Sequence, residues 1–219
     1  MLAPSASTAQ PLPVGPPAPA PAQVVRVQNG DTVGVYTAPG GPTIDRLSSP
    51  DQFGQPTVLG VIARRGAWAA VSDPDLGNRR LGWIHLAGRA VTRSSTYWSV
   101  QVRRGARTAL ISYLGRVVRR VRVGAGAPDS PTPLGRYSIT DKLPGARYSP
   151  VYGCCILALS AVQPQLPAGW RGGNRVAIHG TAPGIPTTSA SAGCVHASPA
   201  DLRFMMAELP AGTPVTVTR

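Results

Sequence analysis

The chain has 219 residues and a formal net charge of +13, and its 42% hydrophobic content is enough for a packed core. The charge comes almost wholly from arginine, since Lys142 is the single lysine, and such a surface favours polyanionic partners. We expect no nucleic acid among them, because the arginines are scattered over predicted strands and no recognition-helix pattern stands out. An anionic polymer or a membrane surface fits the charge as well.

Residues 1–23 consist mainly of proline, alanine and serine, a composition that predicts a disordered, extended tether. No apolar stretch of the chain approaches the roughly 20 residues needed to cross a bilayer. Tethers of this kind commonly join a membrane anchor to an exported domain. We therefore expect a protein tethered to a membrane and working outside the cytoplasm, with its anchor or signal segment absent from this chain. The alternative is a ragged terminus of a cytosolic protein.

Residues 24–93 predict a small all-β domain. Short β-rich runs such as VVRV, VGVY and GWIHL alternate with turn residues, as in small barrels. Trp68 and Trp83 each end an alternating run, and we expect them to fill the barrel interior. The segment resembles the SH3-like modules attached to bacterial wall enzymes, which implies either wall binding or a brace for the next domain.

Residues 97–219 predict a second, mainly β domain that is sandwich-like and carries one packed helix. Its strands alternate polar and β-branched residues, and Gly115 breaks TALISYLGRVVRRVRV into a β-hairpin. The helix is predicted in SPADLRFMMAEL, where Ser198 caps, Pro199 suits the first turn and Asp201 completes a capping box. A closing strand, TPVTVTR, follows Gly212.

Three cysteines leave at least one thiol unpaired. Cys154 and Cys155 are adjacent in a strand-like run, and neighbours on one strand point to opposite faces, so a bond between them would be strained. We expect both to be small buried hydrophobes. Cys194 stands alone in a Gly/Ser-rich stretch.

The chemistry-bearing residues concentrate between His179 and His196. A thiol at its ordinary pKa of about 8.5 is a poor nucleophile and needs a base nearby. His179 ends a predicted core strand and Cys194 ends a small-residue loop, so a sheet can bring them together. Zinc binding by His179, Cys194 and His196 is a weaker alternative, because their spacing matches no common site. We expect neither a metal nor a cofactor.

The motif HGT, followed by S-x-G-C-V and a helix, resembles the signature of the L,D-transpeptidase (YkuD-type) catalytic domain. TPLGRYSI, the YG before CILALS and the closing GTPVTV fall in the same order as in that family. The resemblance covers residues 97–219 and implies exchange of a bond in one peptidoglycan stem peptide for a cross-link to another stem. It implies inhibition by carbapenem β-lactams as well.

The resemblance also implies residue roles. Cys194 would attack the carbonyl and form a thioester, and His179 would take the thiol proton. Ser191 and Gly193 match the family's oxyanion and loop-shaping positions. The remaining matches, assigned to substrate binding, are His196, Gly180, Thr181 and Tyr152.

Two departures stand out. Many family members carry arginine where this chain has His196, and histidine binds carboxylate strongly only when charged. No acidic residue lies near His179 in sequence, so a backbone carbonyl is expected to orient its imidazole. With water as acceptor the chain would instead be an L,D-carboxypeptidase. A wall-binding protein that kept the fold without the chemistry is the remaining alternative.

Overall fold

A computed structural model of the chain describes residues 19–219, so residues 1–18 of the predicted tether lie outside the described part. The first strand begins at Ala22, two residues earlier than expected. The described chain forms two sheets, and its one α-helix lies near the C-terminus, so the prediction of a mainly β fold with a single packed helix is confirmed. Within residues 19–219, no helix has the length and apolar character that a membrane crossing requires.

The first sheet has seven strands, and we call it the N-terminal unit. In space the strands follow the order β3-β2-β6-β5-β4-β1-β7. Their bounds are β1 Ala22–Val27, β2 Thr32–Tyr36, β3 Thr43–Ser48, β4 Val58–Arg65, β5 Trp68–Val71, β6 Gly82–His85 and β7 Val91–Thr96. The edge strands β3 and β7 were not predicted, because edge strands in contact with water need no apolar alternation.

Valine, isoleucine and leucine side chains fill the interior of the N-terminal unit. The expectation that Trp68 and Trp83 occupy this interior is wrong. In β6, Ile84 points into the core, so its neighbour Trp83 points to the other face, where Arg65 lies over its ring. Trp68 packs against Tyr36 on the outside. Strand alternation thus placed the larger aromatic rings outside and the β-branched residues within.

The second sheet has eight strands, and we call it the C-terminal unit. Its order is β10-β9-β8-β15-β11-β12-β13-β14, all antiparallel except the pairs β15/β8 and β13/β14. The bounds are β8 Trp98–Arg103, β9 Thr108–Tyr113, β10 Arg116–Arg122, β11 Gly135–Pro144, β12 Cys155–Val162, β13 Arg175–His179, β14 Val195–His196, α1 Pro199–Glu208 and β15 Pro214–Thr218.

The hairpin and the helix form as the sequence predicts. β9 and β10 pair across a turn in which Leu114 and Gly115 both have positive φ, at 51° and 76°. Ser198 caps α1, its Oγ accepting the Asp201 N–H at 3.1 Å. The helix buries Leu202 and Met205 in the main core against the sheet.

The two units are joined by hydrogen bonds that are buried or partly buried. Asn78 of the N-terminal unit pairs reciprocally with the backbone of Val162 at the end of β12, donating at 2.6 Å and accepting at 2.8 Å. The Gly60 N–H donates to Ser138 Oγ at 3.0 Å. Because the partners lie on β11 and β12, the N-terminal unit is fixed against β12, the neighbour of β13, and against β11 beyond it.

We predict that Asn78→Ala destabilises the whole chain. Removing the amide leaves the Val162 N–H and carbonyl without partners, which typically costs about 1–3 kcal/mol when such groups are buried. Denaturant unfolding measures the loss. Arg79→Ala, one exposed residue further on, is the control and should change stability by less than about 0.5 kcal/mol. Equal losses in the two variants would contradict the interpretation of this contact.

Candidate active site

The site is built where a two-residue strand pairs with a core strand. β14 runs parallel to β13, with Val195 beside Ile178 and His196 beside His179. Ile178 and Val195 are fully buried in the main core. Since successive residues of a strand point to opposite faces, the other face presents His179, His196 and, one position before β14, Cys194. The structure therefore brings the predicted nucleophile and base to the same side of the sheet.

A second segment, residues 124–127, holds the cysteine loop, residues 191–194, from the side away from β13. The backbone groups of Gly124 and His196 exchange two hydrogen bonds of 3.0 Å. The Ser191 N–H donates to the Ala125 carbonyl at 3.1 Å, and the Ala127 N–H donates to the Ser191 carbonyl at 2.8 Å. The cysteine loop is thus clamped between β13 and the segment that follows β10.

Gln163, buried just after β12, supports the same loop. Its Nε2 donates to the carbonyls of Ser130 and Pro131, both at 3.1 Å, and to that of Ala192 at 3.3 Å. Gly193 has a φ of +119°, and a Cβ at this position would collide with Gln163 Nε2. The resemblance implies an oxyanion or loop-shaping role for Gly193, and in the structure the buried Gln163 amide is packed against it.

Ser191 ties the loop together locally. Its Oγ accepts the Gly193 N–H at 3.0 Å and donates to the Cys194 carbonyl at 2.6 Å. The Gly193 amide is therefore engaged within the loop in this structure. Ser191 and Gly193 together set the backbone turn that presents Cys194.

The imidazole of His179 is oriented by backbone. Its Nδ1 donates to the Gly180 carbonyl at 2.5 Å, which leaves Nε2 unprotonated in the neutral ring. The rings of Tyr152 and His196 pack edge-on against it, with centroids 5.0 Å and 4.9 Å away. His196 Nδ1 in turn donates to the Ser189 carbonyl at 3.2 Å.

Burial keeps the thiol and both imidazoles uncharged. It raises the pKa of the Cys194 thiol to about 11, against a backbone hydrogen bond at Ala177 that acts in the opposite direction. Burial, and next the repulsion that a protonated His196 would exert, lower the pKa of His179 to about 4. Burial also lowers the pKa of His196. At neutral pH the pair is thus a thiol and a neutral imidazole rather than a thiolate and an imidazolium.

Gly180, Thr181 and Tyr152 lie beside His179, in a contact between two loops. The Gly180 N–H donates to the Tyr152 carbonyl at 2.8 Å, and a Cβ on Gly180 would lie 3.0 Å from Gly153 Cα. Thr181 Oγ1 donates to the Ile185 carbonyl at 2.7 Å. These bonds fix the backbone that orients His179.

The expectation that Cys154 and Cys155 are separate buried thiols is wrong, since the structure joins them in a disulfide. Only Cys155 belongs to β12, while Cys154 lies in the turn after Gly153, whose φ is +65°. The opposite-face geometry that argued against the bond holds only when both residues lie within a strand. Cys194 is the free cysteine.

Arg175 links the nucleophile to a buried carboxylate, a connection that sequence reasoning missed. Its carbonyl oxygen lies 3.9 Å from Cys194 Sγ, and its guanidinium reaches Thr140 Oγ1 at 2.7 Å and Asp141 at 3.3 Å. Burial, and next the facing carboxyl of Asp51, raise the pKa of Asp141 to about 7. Asp51 belongs to the N-terminal unit, so this network crosses between the units.

A second group of carboxylates lies in the N-terminal unit. Oxygens of Asp45, Asp73 and Asp75 lie within 4.8 Å of one another, a spacing that a metal ion could bridge. Burial raises the pKa of Asp73 to about 6, and Arg175 opposes this shift. One Asp73 oxygen already accepts the Asp75 N–H at 2.9 Å. These residues are remote in sequence from the histidine and cysteine motifs and were not selected there.

The face that carries Cys194 opens into a cavity of about 400 Å³, which we call the Cys194 cavity. Of the eight predicted site residues, all but Gly180 and Gly193 line it. Phe53 of the N-terminal unit lines it too, together with Gln163 and Arg175. Nothing in the sequence around Phe53 signalled this position, because it depends on how the two units dock.

The fold and the site together define a class of β-sheet domains in which a histidine ends one strand and a cysteine directly precedes the strand beside it. The family model described as the L,D-transpeptidase catalytic domain (YkuD) matches residues 98–217, more than half of the chain. The chain belongs to this family, which confirms the resemblance seen in its motifs. No match was found among curated proteins.

Solved L,D-transpeptidases also match the chain. One from Mycobacterium smegmatis is 19% identical, with 75% of this chain and 90% of that chain covered and a TM-score of 0.43. L,D-transpeptidase 3 from Mycobacterium tuberculosis with a faropenem-derived adduct is 16% identical, at 64% and 73% coverage and a TM-score of 0.42. The Ldtfm–avibactam carbamoyl enzyme is 22% identical, at 56% and 49% coverage and a TM-score of 0.40. The chain therefore spans about half the length of the Ldtfm protein.

We predict that Gly193→Ala destabilises the chain by about 1–3 kcal/mol, because alanine is strained at a φ of +119° and its Cβ meets the buried Gln163 amide. Denaturant unfolding gives the difference. The matched control is Gly105→Ala, where the added Cβ makes an ordinary 3.6 Å contact. Wild-type stability in Gly193→Ala would show that the loop does not depend on the packing described here.

Proposed function

We propose that the chain is a peptidoglycan L,D-transpeptidase that cross-links stem peptides through a thioester on Cys194. The observation that supports this most is the shared face of β13 and β14, from which Cys194 and His179 both enter the Cys194 cavity. The free thiol, the oriented imidazole and the peptide-sized cleft are the components that acyl transfer requires.

The reaction begins when a stem-peptide carbonyl reaches Cys194. Nε2 of His179 accepts the thiol proton as the sulfur bonds to the carbonyl carbon, and the resulting imidazolium returns that proton to the departing D-alanine amine. The carbon–nitrogen bond breaks and a thioester remains. An acceptor amine then attacks the thioester carbonyl, loses a proton to His179, and releases the thiol as a new amide forms.

Because the Cys194 thiol and the His179 imidazole are both neutral before the reaction begins, thiol deprotonation is coupled to attack on the carbonyl. The backbone N–H of Cys194 is the candidate donor to the oxyanion, since the N–H groups of Ser191 and Gly193 are engaged by the Ala125 carbonyl and by Ser191 Oγ. With water in place of the amine, the same steps give an L,D-carboxypeptidase. A protein that acts on peptidoglycan would lie outside the cytoplasm, and the arginine-rich surface suits an anionic wall or membrane.

Covalent inhibition follows from the same chemistry. Two matched L,D-transpeptidase structures carry an avibactam-derived carbamoyl group and a faropenem-derived adduct. We extend this to the present chain, in which a β-lactam carbonyl would acylate Cys194 while the ring nitrogen takes the thiol proton.

We predict that a carbapenem adds its mass once to the wild-type chain and that Cys194→Ala abolishes the adduct. His179→Ala should slow acylation by about 10²–10⁴-fold, the usual contribution of a general base. Intact mass spectrometry against time measures both. His85→Ala is the matched control, since His85 is an exposed histidine of the N-terminal unit.

An adduct that persists in Cys194→Ala, or its absence from the wild-type chain at any concentration, would overturn the proposal in favour of a non-catalytic wall-binding protein. A tetrapeptide donor supplied with and without an acceptor amine separates transpeptidase from carboxypeptidase. Cross-linked product is expected when the amine is present.

We predict an acylation rate that falls as the pH drops through about 4, where His179 becomes protonated and loses its ability to accept the thiol proton. The rate should stay level up to about pH 9, because burial keeps the thiol protonated to about 11. The measurement is the carbapenem acylation rate against pH. An inflection near 6.5 or 8.5, the ordinary pKa values of histidine and cysteine, would contradict the neutral pair.

A further inference from the structure

Exposed apolar side chains gather around the mouth of the Cys194 cavity. Of the twelve large hydrophobic residues exposed in the described chain, five line this cavity. They are Tyr148, Val151, Leu166, Trp170 and Ile185, each at least 36% exposed. Concentrated exposed apolar surface marks a site of interaction. The cavity mouth is therefore apolar in a chain whose net charge is +13.

Phe53 extends this apolar lining from the N-terminal unit. Its ring meets Tyr148 edge-on with centroids 6.1 Å apart, and it packs on the small hydrophobic cluster that also contacts Tyr152 and Cys194. The Arg175 guanidinium lies 5.8 Å from the centre of the Phe53 ring. The N-terminal unit thus supplies part of the wall of the Cys194 cavity through Phe53.

The loop that carries Phe53 is held in place by hydrogen bonds. Oδ1 of Asp51 accepts the N–H groups of Phe53 and Gln55 at 2.8 and 2.9 Å, and the Gln55 carbonyl accepts the Asp51 N–H at 2.8 Å. The Asp51 carboxyl also faces Asp141 of the C-terminal unit. A loop closed in this way presents its aromatic ring with little conformational freedom.

The charged groups on the cavity lining are already engaged. Arg175 donates to Thr140, Asp141 and the Leu159 carbonyl, and it stacks on Phe53. In the described chain no carboxylate lines the Cys194 cavity. The wall beside Arg175 therefore offers apolar contact rather than a free charge.

We infer that Phe53 and the apolar residues at the mouth form a subsite for an uncharged, apolar group on the molecule that reaches Cys194, so that the N-terminal unit takes part in substrate selection. The inference deepens the proposed function and, for its natural substrate, rests on it. In a stem peptide the bound group would be an aliphatic part of the donor. Phe53 acts here as a specificity residue and takes no part in proton transfer.

The test uses three maleimides that share one thiol-reactive group and carry a benzyl, an ethyl or an anionic carboxyethyl substituent. Intact mass gives the rate of Cys194 alkylation in the full chain, and Cys194→Ala defines any reaction elsewhere. We expect the benzyl reagent to react at least about tenfold faster than the anionic one, and to saturate, because an apolar pocket binds aromatic groups.

Phe53→Ala should lower the benzyl rate by about fivefold while the ethyl rate stays within about twofold, the size of effect that one lost aromatic contact produces. Phe53→Leu, which keeps an apolar side chain of similar bulk, should retain most of the preference for the benzyl reagent. This variant tests the subsite if Phe53→Ala proves too unstable to measure. Gln52→Ala, an exposed residue of the same loop, is the matched control.

Equal rates for the three reagents in the wild-type chain, or an unchanged benzyl preference in both Phe53 variants, would overturn the subsite. These rates do not depend on acyl transfer. If the carbapenem fails to acylate Cys194 while the benzyl preference responds to Phe53, the proposed function falls and the subsite stands. If acylation succeeds without any benzyl preference, the subsite is overturned and the proposed function stands.

Discussion

The site depends on one short piece of parallel pairing, in which β14 contributes two residues to the edge of an eight-stranded sheet beside β13. So short a strand has few hydrogen bonds of its own, and its position is set from both sides. β13 supplies one neighbour, and the backbone of Gly124 supplies the other. Gln163 then fixes the preceding turn through the Ala192 carbonyl. The nucleophile is therefore placed by backbone and a buried amide, with little freedom to move relative to His179.

The second constraint is the docking of the N-terminal unit against β11 and β12. Arg175 lies at this junction, with its carbonyl beside the Cys194 sulfur and its guanidinium on Asp141 and Phe53. The chain has nine acidic residues, and two of them, Asp51 and Asp141, face each other here. Two such carboxyls share a low-dielectric space most readily when one holds a proton, which agrees with the raised pKa of Asp141. The N-terminal unit thus contacts β13, the strand that ends on His179, through the Arg175 and Asp141 network.

Features that depend on neighbouring residues were predictable from the sequence. The hairpin at Gly115 and the cap at Ser198 follow from local turn and helix chemistry, and both form as expected. Features that depend on contacts between distant segments were not. Trp83 points outward because the other face of β6 meets the core. Gln163 contacts a loop that is distant from it in sequence. The position of Phe53 depends on how the two units dock. The Cys154–Cys155 bond required knowing that β12 begins only at Cys155.

The neutral state of the cysteine and histidine explains how these constraints bear on chemistry. With its pKa raised to about 11, little of the Cys194 thiol is thiolate at neutral pH, so its reaction with an electrophile is slow unless the cavity binds that electrophile. Under the proposed function, its reaction with a carbonyl requires a base with a free ring nitrogen, and the Gly180 carbonyl leaves Nε2 of His179 free by accepting the hydrogen bond from Nδ1. At the position where the resemblance implies arginine in many family members, this chain has His196, which burial keeps uncharged and which therefore offers no fixed positive charge to a carboxylate. Under the proposed function, substrate recognition would then draw more on shape and apolar contact, which the lining of the Cys194 cavity offers.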